Sequence, residues 1–122
     1  MKLLTKELRM QLPALGTTEK QADPQVICKF FDPTGSWTWF VTEGSPTCPN
    51  HAHCDCTDPR CGQPETWKEF TFFGAVSGHE FEIGYFSLSE LQAARGPFGL
   101  GIERDLYFKP TPLSKIRSQY DR

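Results

Sequence analysis

The fold is decided by the stretch from Val26 to Thr42, VICKFFDPTGSWTWFVT. It contains two runs, 26–31 and 36–42, whose alternating side chains are rich in β-branched and aromatic residues, a pattern typical of β-strands. Between them, Asp32-Pro-Thr-Gly35 combines residues that favour a turn. The stretch therefore predicts an antiparallel pair of strands. Cys28 falls among the apolar positions of the first strand, so we interpret it as a small buried residue.

The sequence predicts a second pair of strands at 69–76 and 79–86, with Ser77-Gly78 as the turn between them. The alternation in 79–86 indicates one buried and one solvent-exposed face. A fifth strand is predicted at 104–108, ending before Pro110.

Three short helices complete the predicted fold. Thr5 is placed to cap a helix that ends before Pro13, and Ser87-Leu-Ser-Glu90 forms a capping box at the start of a second helix. A third helix is predicted from Pro112 to Tyr120. Because the strand connections are short, we expect an α+β domain: a mainly antiparallel sheet of four to five strands, with two or three short helices covering one face.

Length and composition indicate a single domain over residues 1–122. Hydrophobic residues make up 38% and charged residues 23% of the chain, which favours a globular rather than a disordered protein. The net charge of −2 gives no overall attraction to nucleic acid. No signal peptide is visible, and no apolar run approaches the roughly 20 residues of a membrane span. We therefore expect a cytoplasmic protein with no membrane partner.

A loop insertion rich in cysteine and histidine interrupts the predicted sheet at residues 44–67. Within CPNHAHCDCTDPRC, from Cys48 to Cys61, lie four of the five cysteines and two of the three histidines. Because cytoplasmic thiols stay reduced, such a cluster favours a metal site over disulfides. We predict a structural zinc site whose ligands are Cys48, His51, Cys56 and Cys61. His53 and Cys54 are reserve ligands, and the set Cys48, Cys54, Cys56 and Cys61 competes with this assignment. The alternatives to a metal site are a metal-free reactive or disulfide-forming loop and an incidental cluster.

The glycine-rich segment from Arg95 to Lys109 is the second candidate site. Its glycines allow a ligand to approach the backbone closely, although their spacing is not that of a P-loop or a dinucleotide fingerprint. Arg95 and Arg104 are placed to clamp a phosphate or carboxylate. The alternative is a set of internal ion pairs that fixes the loop. We assign partner binding to Arg95, Glu103, Arg104, Asp105 and Lys109.

Catalytic motifs do not accompany these two segments. The sequence contains no G-x-S-x-G elbow and no H-E-x-x-H helix, and nothing pairs a nucleophile with a base. We therefore expect no catalytic residues and no small-molecule substrate. His79 is interpreted as a residue of the sheet surface, and Trp37, Trp39 and Phe40 as core residues rather than as platforms for stacking bases.

Six strings of the chain resemble the family catalogued as Domain of Unknown Function 2958. They are MKLLTKEL, KFFDP, SWTWF, TFFGAV, GYFSLSEL and RGPFGLGIERDLYFKPTPL. The part from Gly84 to Pro112 is the most specific, and residues 44–66 lie outside the resemblance, as an insertion would. The resemblance implies a small, non-enzymatic protein of plasmids, phages and other mobile elements in bacteria. An anti-CRISPR that inhibits the RNA-guided nuclease of type II systems is similar to this family.

The resemblance therefore implies a cytoplasmic protein of a bacterial host that binds and inhibits a host defence component such as a CRISPR effector nuclease. Acidic residues in the middle of the chain, including Asp55, Glu80 and Glu82, would mimic nucleic acid toward a basic groove. The alternative function is a small zinc-braced module that binds nucleic acid through the basic residues Arg104, Lys109, Lys115 and Arg117.

Overall fold

The computed structural model describes residues 3–18, 20–48, 69–95 and 99–120. They form a five-stranded antiparallel sheet, a two-stranded sheet and three short helices, which confirms the α+β class. In chain order the elements are α1 (Lys6–Gln11), β1 (Gln25–Val26), β2 (Cys28–Phe31), β3 (Thr38–Pro46), β4 (Phe70–Ser77), β5 (Phe81–Ser87), α2 (Leu88–Ala93), β6 (Glu103–Arg104), β7 (Thr111–Pro112) and α3 (Leu113–Tyr120). None of these helices is long and apolar enough to cross a membrane.

The main sheet has the order β5-β4-β3-β2-β6, and all its neighbouring strands are antiparallel. The stretch that predicted the first hairpin supplies β2 and the start of β3. Its turn is longer than predicted, since Phe31 pairs with Thr38 and the Asp32 amide donates to the Trp37 carbonyl at 3.0 Å. The Asp32 carboxylate stabilises this turn by accepting from the Thr34 amide at 3.0 Å.

The strand β3 continues to Pro46, past the predicted end of its strand at residue 42. Residues 44–46 pair with residues 70–72 of β4, and the Thr47 amide donates to the Glu69 carbonyl at 3.0 Å. The first residues of the predicted Cys/His insertion are therefore strand rather than loop. The paired ends of β3 and β4 hold the two ends of the segment that connects them.

The predicted strands at 26–31 and 104–108 are each wrong in part. The first is interrupted at Ile27, because β1 pairs with β7 in the two-stranded sheet whereas β2 lies between β3 and β6. The second is only two residues long, since after β6 the chain turns and the Phe108 amide donates to the Asp105 carbonyl at 3.3 Å. The apolar run in 106–108 therefore lies in a turn and not in the sheet.

Both predicted helix caps are confirmed. The Thr5 hydroxyl accepts from the Leu8 amide at 3.2 Å, and the Ser87 hydroxyl accepts from the Glu90 amide at 3.2 Å. The third helix is also confirmed, with Pro112 immediately before it. In each case a local rule about the first turn of a helix was sufficient.

The helices cover both faces of the sheet, not one as predicted. On the first face, Leu8 of α1 and Leu91 of α2 belong to the main core with Val41. On the second face, Ile116 of α3 packs with Phe40 and with Val26, which lies in β1. Adjacent residues of a strand point to opposite faces, so α3 lies on the side away from α1 and α2.

Candidate functional site

The predicted zinc ligands lie almost entirely outside the described residues. Cys48, two residues beyond β3, is described and is half-buried. His51, His53, Cys54, Cys56 and Cys61 fall within 49–68, so the zinc site stays a prediction. Elsewhere, in the described part of the chain, no three His, Cys, Asp or Glu side chains are grouped to hold a metal ion.

Cys28 is confirmed as a residue of the core. Its side chain is buried in β2, and this burial raises the pKa of the thiol to about 12, although the positive charge of Arg104 acts in the opposite direction. The thiol is therefore protonated at neutral pH, which disfavours both nucleophilic attack and metal binding.

Arg95 lies at the end of α2 rather than in an open clamp. Its Nη1 donates to the carbonyl oxygens of Gln92 and Ala94, both at 2.7 Å. The last carbonyls of a helix lack partners within the helix, and a cation near them is favourable. This contact gives Arg95 a capping role, while its predicted role in partner binding stays a prediction.

The remaining residues assigned to partner binding follow one another along the edge of the sheet formed by β6. Glu103 and Arg104 are half-buried and pair with Phe31 and Phe30 of β2. Asp105 follows them, with its carboxylate 4.0 Å from the Lys29 ammonium group, and Lys109 is exposed. Glu103 and Arg104 thus follow one another at the β6 edge with their side chains on opposite faces of the sheet, and the role of Glu103, Arg104 and Asp105 in partner binding also stays a prediction.

An aromatic cluster lies at the turn between β4 and β5. Trp37 is 40% exposed. Its ring stacks on that of Trp39, with centroids 6.2 Å apart, and makes a T-shaped contact with the His79 ring, with centroids 5.6 Å apart. A Cβ on Gly78 would lie 2.4 Å from the Trp37 ring, so any other residue there would displace that ring. Phe40 is fully buried, as predicted. The prediction of Trp37 as a core residue is wrong, since it is exposed in the turn before β3, and His79 is exposed in the turn before β5 rather than in a strand.

The strand β5 presents the most exposed apolar side chains of the sheet. The side chain of Ile83 is 42% exposed and that of Tyr85 is 70% exposed. Alternation predicts that these side chains lie on a buried face, but they lie on the second face of the sheet, where α3 packs over Phe40 and Ala75 and not over them. Tyr85 contacts the ring of Phe73 on the neighbouring strand, with centroids 4.9 Å apart.

Acidic residues lie on the same strand and in the turn before it, but Glu82 alternates with Ile83 and so points to the first face of the sheet, whereas Ile83 and Tyr85 point to the second. Glu80 and Glu82 are both exposed, the first in the turn before β5 and the second within it. Since β5 is the last strand of the described sheet on this side, its outer edge has no described strand beside it. We call Glu80, Glu82, Ile83 and Tyr85 the β5 surface. Sequence reasoning found its acidic residues but missed its apolar ones, because alternation does not show which face a helix covers.

Comparison with known proteins gives a family. No curated protein and no solved structure matches the chain significantly. One family model, described as "Protein of unknown function (DUF2958)", matches residues 3–67 and 69–119. The first matched range includes residues 44–66, so the family model extends across the segment that the resemblance in sequence strings does not cover. Because the two ranges cover nearly the whole chain, the protein belongs to the DUF2958 family of proteins of unknown function.

Proposed function

We propose that this protein is a non-enzymatic binding protein that uses the β5 surface to occupy a basic groove on a protein partner. The proposed partner is a host defence component that normally holds nucleic acid, such as a CRISPR effector nuclease. The protein would then act as an inhibitor carried by a mobile element in a bacterial cell. One observation carries the proposal: β5, a terminal strand of the described sheet, exposes the apolar Ile83 and Tyr85 on one face and has the acidic Glu82 on its other face and Glu80 in the turn before it.

The apolar part of the β5 surface supports a protein partner. Tyrosine is enriched among the residues that dominate binding energy at protein interfaces, and Tyr85 combines an exposed ring with a contact to the ring of Phe73 on the neighbouring strand. A terminal strand also offers backbone groups to a partner that adds a strand of its own.

The acidic part of the β5 surface supports a partner of opposite charge. Glu80 and Glu82 flank the start of β5, and their carboxylates would attract a groove lined with lysine and arginine and speed the encounter. The same charges oppose binding of nucleic acid at this surface, because phosphates would be repelled. Competition with nucleic acid for one groove is therefore the expected mode of inhibition.

A binding assay with purified CRISPR effectors and other defence nucleases tests this proposal. The wild-type protein should bind at least one of them, and nucleic acid should compete with it. The double variant Ile83→Ser and Tyr85→Ser should bind about tenfold more weakly or worse, since each residue would contribute at least about 1 kcal/mol at an interface. An interference assay in cells should show the same loss of protection.

A matched control is available in the turn after β6. Leu106 and Tyr107 are 61% and 91% exposed, so their double replacement by serine removes a similar amount of exposed apolar surface at another place. This control should bind as the wild type does. Absence of both binding and protection across the panel, or equal loss in both double variants, would contradict the proposal.

A second candidate function is direct nucleic-acid binding, and the basic side chains of α3 favour it. Lys115 and Arg117 are exposed on this helix, and exposed Lys109 lies shortly before it. Such binding neutralises phosphates and must weaken steeply as salt rises. Gel shifts with single- and double-stranded DNA and RNA over a salt series decide this, and binding that is absent or insensitive to salt would exclude it. A zinc-bound Cys/His segment would brace such a module.

A further inference from the structure

A surface cavity of about 280 Å³ lies between α3 and the second face of the sheet. Its base is apolar, because Phe40 and Ile116 are buried there. The ring of Tyr120 closes one side and meets the Phe40 ring edge-on, with centroids 5.0 Å apart. Along the order of the strands, the cavity lies toward the β6 edge of the sheet and away from β5.

One face of α3 lines this cavity. Lys115 and Gln119 are four residues apart, as are Ile116 and Tyr120, so each pair lies one turn apart on the same side of the helix. The cavity therefore receives an ammonium group, an amide and a phenol from a single rigid element. No described carboxylate lies within ion-pair distance of Lys115.

Lys29 faces the cavity from the sheet. It pairs with Phe40 across β2 and β3, so it stands on the second face beside the apolar base. Its side chain is only 24% exposed, and its nearest ion partner is Asp105 at 4.0 Å, the outer limit of an ion pair. A half-buried ammonium group with one distant carboxylate retains most of its capacity to bind an anion.

We propose that this cavity binds a compact phosphate-bearing ligand. Lys29 and Lys115 supply two positive charges against the single negative charge of Asp105, which favours an anion. Gln119 and Tyr120 add neutral donors, so several oxygens of one phosphate can be bound together. The aromatic side chains of Phe40, Phe108 and Tyr120 offer an apolar surface for the organic part of the ligand.

Two sources of the phosphate are compatible with this chemistry: a free phosphate monoester and a strand of nucleic acid. Titrations followed by NMR of the ¹⁵N-labelled protein separate them. The probes are inorganic phosphate, adenosine 5′-monophosphate and a short single-stranded oligonucleotide without terminal phosphates, each in a low-salt buffer free of phosphate. Saturable shifts should appear at the amides of Thr111, Gln119 and Tyr120. Tighter binding of the monophosphate identifies a monoester site, and tighter binding of the oligonucleotide identifies a strand.

Lysine variants test the site itself. Lys115→Gln and Lys29→Gln should each weaken binding of the better probe about tenfold or more, because each removes a charged hydrogen-bond donor. Lys115 is exposed, so Lys115→Gln keeps the test valid if the half-buried Lys29 proves necessary for folding. The control Lys20→Gln removes an exposed lysine that does not line the cavity and should leave binding unchanged. The absence of saturable shifts with all three probes, or equal affinity in wild type and Lys115→Gln, would overturn the proposal.

Discussion

At the scale of single residues, Gly74 lies where a side chain would meet the backbone of the neighbouring strand. A Cβ at this position would lie 1.8 Å from the carbonyl oxygen of Phe40, beside the β-bulge that shifts the register between Val41 and Glu43. Contact at this distance with backbone cannot be relieved by rotating a side chain. The residue is therefore fixed as glycine by the sheet itself and not by a turn.

The variant Gly74→Ala should lower the free energy of unfolding by about 3 kcal/mol, because β3 and β4 must separate to admit the methyl group. Gly84, which pairs directly with Gly74 from β5, is a matched control, since no atom lies within 4 Å of a Cβ built there. Gly84→Ala should change stability by less than about 1 kcal/mol. Urea unfolding of both variants measures their free energies of unfolding. Equal values would show that β3 moves to admit the methyl group at little cost.

Glu43 is a buried carboxylate that fixes the connection after α1. It follows the bulge, is 3% exposed, and accepts from the amides of Gly16 at 2.9 Å and Thr18 at 2.5 Å, and from the Thr18 hydroxyl. Burial opposes ionisation of this carboxyl, but these hydrogen bonds outweigh it and hold its pKa below the ordinary 4.5.

Glu43 should therefore make stability depend on pH. A carboxyl whose pKa is lower in the folded state stabilises the fold above its unfolded pKa, and this contribution is lost as the pH falls through the folded value. At neutral pH, Glu43→Gln should lower the free energy of unfolding by about 1.5–3 kcal/mol, and the difference from wild type should shrink as the pH falls below 4.5. The exposed Glu80→Gln is the control for denaturant titrations over this range. A difference that does not vary with pH would contradict the assignment.

At the scale of elements, local rules predicted what local chemistry determines. Thr5 and Ser87 begin helices because their hydroxyls accept from amides three residues ahead, which needs no tertiary information. The central strands were found from alternation for the same reason. Strand ends were less well predicted, since β3 gains residues 44–46 only by pairing with β4.

The β5 surface and the cavity beside Lys29 depend on contacts between residues far apart in the chain. Asp23 accepts from the Ser114 amide at 2.8 Å and from its hydroxyl at 2.6 Å, which ties the start of α3 to a residue before β1. That contact helps place α3 over Phe40. In this position α3 does not cover Ile83 and Tyr85, which are exposed on the same face of the sheet. Neither the cavity beside Lys29 nor the β5 surface follows from periodicity, because both arise from where one helix docks.

At the scale of the whole molecule, the described part of the chain already contains a packed core and a paired sheet on both sides of the Cys/His segment. The rings of Phe30 and Phe86 each lie 5.6 Å from Phe72, and this cluster packs against leucines of α1 and α2. The segment begins and ends at β3 and β4, which already pair with each other up to Pro46 and Phe70. Metal bound there would therefore order the connection between two strands rather than hold the sheet together.

The zinc prediction rests on the cluster of cysteines and histidines in this segment. The purified protein should hold about one zinc ion per chain, bound by Cys48, His51, Cys56 and Cys61, and should lose it as the pH falls, because thiolates must be deprotonated to bind zinc. Replacing Cys48 and Cys61 together by serine should release the metal while the far-ultraviolet circular dichroism of the sheet and helices is retained. Cys28→Ala is the matched cysteine control and should keep the zinc, since Cys28 lies in the core. Elemental analysis measures the metal content. Protein purified without chelator that contains no zinc and whose four thiols at Cys48, Cys54, Cys56 and Cys61 all react would refute the site, whereas global unfolding of the double variant would show that the segment is integral to the core.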